Sequence, residues 1–458
     1  MKRALFVAAL CGAGCGADEA TSHPAQAAVP APFDAQDVQR ILHLSPLGDP
    51  PPDPTNRFAD DPAAARLGQA LFFDTRLSKN GQTACATCHV PERSFADGQR
   101  IAQGVLPLDR HTPALWNVAW QRWMFWDGRS DSLWAQALVP LESPLEHGST
   151  RLQIAHLLHD DAELGAAYEA VFGPLPELDD EARFPPVGRP VPRDDHAHEL
   201  AREHEARSGH THGGASAFYH PHQRAWDRMR GPDQHAVTEV FVNVGKAIAA
   251  YERLLVSRDA PFDRFVRGLR SGREEDLAAL DMPARRGLQL FLGKARCHLC
   301  HSGPLFSDME FHDLGLPSAS GGRRADPGRQ EGIATLRRDP FNGMGPWSDD
   351  PRGPARTKLD YLPTHAHERG EFKTPSLRNV AVTAPYMHQG QLATLVEVLE
   401  FYSSLEGREP GSSSGERILA PLGLTVQEQE DLFAFLLSLI DEGLDPILTT
   451  PPPSPALR

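Results

Sequence analysis

The sequence predicts an all-α protein of two similar domains with long irregular insertions. Apolar residues recur at helical spacing in several stretches, whereas no convincing run alternates polar and apolar residues as a strand would. A Cys-x-x-Cys-His motif occurs twice, and each copy follows an amphipathic stretch, at 63–73 and at 284–292. The repetition indicates an internal duplication, with one domain built around each motif.

The first fifteen residues are typical of a secretory signal peptide. Lys2 and Arg3 give the positive start, and residues 4–10 form an apolar stretch too short to span a membrane. Small residues lead up to Cys15, so that lipid attachment there and ordinary cleavage near Ala17 both fit. Either route exports the chain, and we expect a periplasmic protein, with or without a lipid anchor.

Composition divides the rest of the chain into five predicted segments. They are a linker at 16–60, an N-terminal domain at 61–175, a His-rich insertion at 176–234, a C-terminal domain at 235–445 and a disordered tail at 446–458. The linker is rich in Ala, Pro and Asp, and the tail is rich in Pro. A second polar insertion is expected at about 318–370. Further helical periods at 131–138, 237–255 and 392–402 fill the two domains.

Each Cys-x-x-Cys-His motif predicts one covalently bound haem. Two thiols on one helical turn can add to the two vinyl groups of haem, and the adjacent histidine can then reach the iron. The motifs span Cys85, Cys88 and His89 in the first half and Cys297, Cys300 and His301 in the second. A zinc or thioredoxin-type Cys-x-x-Cys is the alternative, which the two trailing histidines disfavour.

Four ordered segments resemble the bacterial dihaem cytochrome c peroxidases and their relative MauG. These segments, at 71–78, 125–129, 374–380 and 383–388, read LFFDTRLS, FWDGR, TPSLRNV and TAPYMH. The match covers most of the chain from about 63 to 440, apart from the two insertions. The resemblance implies two cytochrome c-like haem domains, in which the N-terminal haem reacts with hydrogen peroxide and the C-terminal haem passes electrons. His89 and His301 would be the proximal iron ligands.

The resemblance also assigns two catalytic residues to the first haem. Glu146 would be the distal acid, which moves a proton from one peroxide oxygen to the other, and Glu142 is the nearest alternative. Trp126 would lie between the haems, where its large ring can carry an electron hop, or where it simply packs in the core.

A third catalytic assignment concerns the open side of the first haem. Many of these peroxidases carry a removable histidine ligand at the position that Gln103 occupies here. Because glutamine is a poor ligand for ferric haem, we predict a permanently open first haem that needs no reductive activation. The alternative is that His111 or Met124 closes the site after a loop rearrangement.

Tyr402 is the candidate second ligand of the C-terminal haem. By the resemblance, it stands where the peroxidases carry a methionine and where MauG carries a tyrosine. A phenolate stabilises oxidised iron and lowers the reduction potential, whereas methionine raises it. The alternative is that Met387 binds the iron and that Tyr402 is an ordinary buried helix residue.

Calcium is a doubtful third cofactor. By the resemblance, an asparagine and two backbone carbonyls hold a calcium ion between the domains, and the carbonyls would be those of Thr383 and Pro385. His111 stands where the asparagine should be. The ligand set is therefore incomplete.

The insertion at 176–234 is a candidate metal-binding segment. It holds the histidines His196, His198, His204, His210, His212, His220 and His222. Three pairs have His-x-His spacing, which points both imidazoles the same way on an extended segment and suits Cu, Zn or Ni. A solvated loop without metal is the alternative.

These observations together predict a periplasmic dihaem c-type peroxidase that reduces hydrogen peroxide with electrons from a small cytochrome c or cupredoxin. The formal net charge of −15 argues against nucleic acid and would attract a basic donor, and a homodimer is compatible with the sequence. A MauG-like oxidase acting on a partner protein is one alternative, although Ala295 occupies the place of the surface tryptophan of MauG. A non-catalytic dihaem electron-transfer cytochrome is another.

Overall fold

The computed structural model describes residues 32–190, 199, 201–204, 220–317, 326–409, 418–441 and 443–453. Over these residues the protein is mostly α-helical, and the sheet consists of two antiparallel two-residue strands, β1 (Phe311–His312) and β2 (Phe372–Lys373). The prediction of a mostly helical protein is therefore confirmed. Among the same residues, no helix combines the length and the apolar character that crossing a membrane would need.

The helices fall into two groups along the chain. The first group comprises α1 (Ala35–Leu42), α2 (Pro62–Phe73), α3 (Cys85–Cys88), α4 (Leu133–Glu142), α5 (Arg151–Asp160), α6 (Ala162–Phe172), α7 (His220–Asp227) and α8 (Gly231–Glu252). The second comprises α9 (Pro261–Ser271), α10 (Glu274–Leu277), α11 (Met282–Leu292), α12 (Arg329–Arg338), α13 (Pro354–Asp360), α14 (Leu395–Ser404) and α15 (Val426–Leu437). Short 3-10 turns connect several of them.

The two helices that precede the Cys-x-x-Cys-His motifs begin in the same way. Asp61 accepts hydrogen bonds from the first backbone N–H groups of α2, and Asp281 does the same at α11. A proline stands at the first or second position of each helix, where its missing N–H costs nothing. Both helices were predicted from their periodicity, and both are confirmed.

The duplication is also visible where the two halves meet. Asn117 and Asn379 both adopt a left-handed conformation, and each begins a 3-10 turn, at Val118–Trp120 and at Val380–Val382. Both side-chain amides donate to Ser257, Asn117 to its carbonyl at 2.9 Å and Asn379 to its hydroxyl at 2.8 Å. Equivalent segments thus share one anchor.

Helix α8 belongs to the core of the first half. It packs against α2 and α4, and the glycines at the crossings allow backbone contact. A Cβ atom on Gly68 would lie 1.8 Å from the carbonyl oxygen of Ala247, and one on Gly245 would lie 2.6 Å from Leu138. The predicted boundary at 235 assigned this helix to the wrong half, because the helical period of an apolar segment does not tell which neighbour covers it.

The second core lies between α9, α11 and α15, and the predicted linker contributes to it. Helix α1 lies within the 16–60 segment and carries a capping box at Asp34. Its residue Ile41 and the nearby Leu44 are buried in the core with Phe262. The linker prediction was therefore wrong for this part, because two well-placed apolar residues suffice to dock a short helix.

The second predicted insertion also packs on the domains. Helices α12 and α13 lie within 318–370, and the buried guanidinium of Arg329 stacks 4.0 Å from the ring centroid of Phe311 and 4.4 Å from that of Trp123. The same group donates to the Gly128 carbonyl at 3.0 Å. The prediction of an irregular insertion failed here because this segment docks through cation–π contacts and hydrogen bonds rather than through an apolar stripe.

Part of the predicted disordered tail is likewise held in place. Residues Pro446–Thr449 form a 3-10 turn. The Gln69 amide donates to the carbonyls of Ile447 and Thr450 at 2.6 and 2.7 Å, and the Tyr251 hydroxyl donates to Leu448 at 2.5 Å. The prediction of disorder was wrong for 446–453, because polar side chains of the first half satisfy the backbone of the tail.

Most of the His-rich insertion lies outside the described residues, as do the predicted signal peptide and Cys15. Of the seven histidines, only His204 and His222 have described side chains. The metal-binding hypothesis therefore stays a hypothesis.

Candidate functional site

A cavity of about 930 Å³ at the junction of the two halves contains both Cys-x-x-Cys-His motifs. Cys88 and His89 line it from the first half, and Cys297, Cys300 and His301 line it from the second. The remaining thiol, on Cys85, packs against the first core at the start of α3. The two sites thus face one continuous space that both halves enclose.

The two motif histidines are held in the same way. The Nδ1 atom of His89 donates to the carbonyl of Phe95 at 3.1 Å, and that of His301 donates to the carbonyl of Phe306 at 2.9 Å. Because a carbonyl can only accept, Nδ1 carries the proton and the lone pair of Nε2 is left for a metal. Burial lowers the pKa of both rings, which favours the neutral, ligating form.

The cysteines also fit haem attachment. Cys85 and Cys88 are the two ends of the single helical turn α3, and Cys297 begins a 3-10 turn that leads to Cys300. Each pair of thiols therefore lies on one turn beside a histidine that can bind iron. This arrangement suits the two vinyl groups and the proximal ligand of a haem c.

Glu146 and Glu142 have different surroundings. Glu146 is half-buried and lines the cavity, on a loop fixed by the bond from the Val105 N–H to its carbonyl at 2.8 Å. Glu142 ends α4 and is buried in an ion pair with Arg151, at 3.0 Å from Nε to Oε1 and 3.3 Å from Nη2 to Oε2. The carboxylate that faces the haem space is thus that of Glu146.

Trp126 lines the cavity and is hydrogen-bonded to both halves. Its indole N–H donates to the carbonyl of His111 in the first half at 2.8 Å. Its own carbonyl accepts from the backbone N–H of Lys373 in the second half at 2.8 Å. These two bonds fix the indole at the junction, although its role in electron transfer stays a prediction.

Gln103 lies outside the cavity lining. Its side chain is exposed and donates to the carbonyl of Ile101 at 3.2 Å. Both residues that were considered as alternative ligands, His111 and Met124, do line the cavity. The His111 ring already donates to the carbonyl of Gln99 at 2.8 Å. The open first haem stays a prediction.

Tyr402 faces the second motif from helix α14. It lines the cavity with Cys297, Cys300 and His301. Burial, followed by the nearby Cys297 and Cys300, raises the pKa of its hydroxyl, so that a phenolate would need the positive charge of a bound metal. Met387 lines the same cavity. Which of the two would bind the iron is not decided by position alone.

Two ionisable residues of the cavity were missed in the sequence. Glu252, at the end of α8, is buried, and burial raises its pKa to about 8. Burial lowers the pKa of Lys373 to about 7, and its amine donates to the carbonyl of Trp123 at 2.8 Å and contacts Gln121. A charged residue directly after the apolar run 247–251 was the available signal for Glu252.

Comparisons with known proteins agree with this arrangement. A model of the family described as di-haem cytochrome c peroxidase matches residues 62–191. Cytochrome-c peroxidase IdrP1 of Denitromonas iodatirespirans is 34% identical over 404 residues, which cover 86% of each chain. The methylamine utilization protein MauG of Methylorubrum extorquens is 31% identical over 380 residues, which cover 82% of this chain and 78% of MauG.

A solved structure resembles the whole chain. A MauG-like protein associated with microbial copper homeostasis is 25% identical, with a TM-score of 0.57, and the match covers 89% of this chain and 98% of that protein.

Proposed function

Since the chain belongs to the family of dihaem cytochrome c peroxidases and MauG, and is thus an oxidoreductase that uses peroxide, we propose that it is a periplasmic dihaem c-type peroxidase. It would reduce hydrogen peroxide with electrons from a small cytochrome c or cupredoxin. The observation that carries the proposal is that Glu146 shares a cavity with His89, while Glu142 is neutralised by Arg151.

The motif residues would hold the two haems. Cys85 and Cys88 would form the thioether bonds of the first haem, and Cys297 and Cys300 those of the second. His89 and His301 would each present Nε2 to an iron, because Nδ1 is bound to a backbone carbonyl. When bound, haem supplies the redox-active iron, which no side chain of the chain could replace.

Glu146 would move the protons of the reaction. A carboxylate can take a proton from one oxygen of hydrogen peroxide and return it to the other, so that water leaves as the O–O bond breaks. One peroxide, two electrons and two protons then give two waters. The half-buried position of Glu146 keeps the carboxylate beside the cavity while leaving it within reach of solvent protons.

Trp126 would connect the two haem sites. Electrons from the donor would enter at the site of His301 and cross to the site of His89, with the indole between them. Its hydrogen bonds to His111 and to Lys373 hold the ring in one orientation, which lowers the reorganisation that each electron transfer needs. The acidic chain, with a net charge of −15, would attract a basic donor.

A MauG-like oxidase that modifies a partner protein is the second candidate. The position of Tyr402 beside the second motif favours it, because a tyrosine ligand suits oxidised iron. Ala295 counts against it, because this residue is only 5% exposed and packs in the second core. The chain therefore presents no tryptophan to a partner at that position, and the peroxidase ranks first.

Stopped-flow turnover with a reduced small cytochrome c tests the proposed function. Protein with both haems retained after denaturation is mixed with the donor and hydrogen peroxide, and the oxidation of the donor is followed. We expect repeated turnover in which two donor molecules are oxidised for each peroxide. Rapid reaction with peroxide, but no oxidation of either a cytochrome or a cupredoxin donor, would instead favour the MauG-like oxidase.

A further inference from the structure

His111 joins the two halves through its backbone and its side chain. Its backbone N–H donates to the carbonyl of His388 in the second half at 2.8 Å, and its own carbonyl accepts from the indole of Trp126 in the first half at 2.8 Å. Its ring donates to the carbonyl of Gln99 at 2.8 Å and also hydrogen-bonds the backbone of Thr383 in the second half. Two of its partners therefore lie in each half.

The bond to Thr383 ends on the carbonyl. It favours the protonated ring, and only an acceptor can do so. This carbonyl is one of the two that were expected to bind an interdomain calcium ion. The ring of His111, only 6% exposed, thus occupies the space beside one of the expected calcium ligands.

The residues around this carbonyl do not fit a calcium ion. Calcium takes six to eight oxygen ligands, and an imidazole offers none. The ring nitrogens instead bring donors to the carbonyls of Gln99 and Thr383, which would otherwise point at the ion. Donors of this kind satisfy the buried carbonyls without a metal.

We infer that the side chain of His111 takes the place of an interdomain calcium ion and makes this enzyme independent of calcium. The ring links the Gln99 segment of the first half to the Thr383 segment of the second. The backbone of the same residue holds the indole of Trp126 and the carbonyl of His388. The junction between the two haem sites is therefore built by one residue, whichever reaction the enzyme performs.

The His111→Asn variant tests this inference, because it restores a side-chain oxygen that calcium can bind. The purified holoenzyme and the variant are dialysed against calcium and then against buffer, and bound calcium is measured by inductively coupled plasma mass spectrometry. Unfolding temperatures are recorded with calcium and with EGTA. We expect the wild-type enzyme to retain no stoichiometric calcium and to unfold at the same temperature in both solutions.

His111→Asn should bind about one calcium ion per chain, with an unfolding temperature that falls when EGTA is added. His111→Ala should be destabilised without rescue by calcium. His367→Asn, at an exposed histidine of the second half, serves as the matched control and should behave as wild type. Stoichiometric calcium in the wild-type enzyme would overturn the inference, and this measurement decides even if the variants do not fold. A folded His111→Asn variant that binds no calcium would also overturn it.

Discussion

The Glu146→Gln variant is expected to lose kcat/KM for hydrogen peroxide by about 10²- to 10⁴-fold, the usual contribution of a positioned acid–base group. The amide has nearly the shape of the carboxyl group but cannot take up the peroxide proton. Steady-state oxidation of a reduced donor cytochrome measures the effect. Haem content and the unfolding temperature should stay close to those of wild type, because the loop is held by backbone bonds.

Two other glutamates serve as controls for this prediction. Glu92→Gln, at an exposed position of the first half, should leave kcat/KM unchanged. Glu142→Gln breaks the buried ion pair with Arg151, and we expect it to lower the free energy of unfolding by up to about 3 kcal/mol while the folded molecules retain activity. A Glu146→Gln variant as active as wild type, or a Glu142→Gln variant that folds but is inactive, would show that the wrong carboxylate was chosen.

The Tyr402→Met variant is expected to raise the reduction potential of the C-terminal haem by on the order of 100 mV or more, within the roughly 0.8 V over which axial ligands set haem potentials. A thioether favours reduced iron, whereas a phenolate favours oxidised iron. Spectroelectrochemical titration of the holoenzyme measures both haem potentials, and that of the N-terminal haem should move much less.

A second tyrosine of the same cavity provides the matched control. The hydroxyl of Tyr386 donates to the carbonyl of Val380 at 3.0 Å, which ties it to the backbone. Tyr386→Phe should therefore leave the potential of the C-terminal haem close to the wild-type value. An unchanged potential in Tyr402→Met would mean that Tyr402 is not a ligand, and a large change in Met387→Leu would then assign the iron to Met387.

Much of the fold could be predicted from local patterns. The apolar spacing of 63–73 and 284–292 predicted α2 and α11, and the segment 392–402 predicted α14, because each helix buries one face on its own domain. Helix α8 is buried on several sides, and its sequence does not tell which half surrounds it. The docking of α1 and of the tail depends on partners distant in the chain, such as Phe262 and Gln69.

The candidate site divides in the same way. The motif residues and Glu146 could be named from sequence because each belongs to a short pattern with a chemical reason or a family resemblance. Glu252 and Lys373 could not, because both gain their shifted pKa values from tertiary burial. His111 was noticed as a replacement, but its hydrogen bonds to both halves depend on how the halves pack.

Low-temperature EPR of the oxidised holoenzyme, followed by one and two equivalents of hydrogen peroxide without any reductant, tests the central claim most directly. With Gln103 exposed and no histidine at that position, we predict one high-spin and one low-spin ferric signal and an immediate spectral response to peroxide. Two low-spin signals and no reaction until the enzyme is reduced would contradict an open first haem. That result would leave a reductively activated peroxidase or a simple electron carrier.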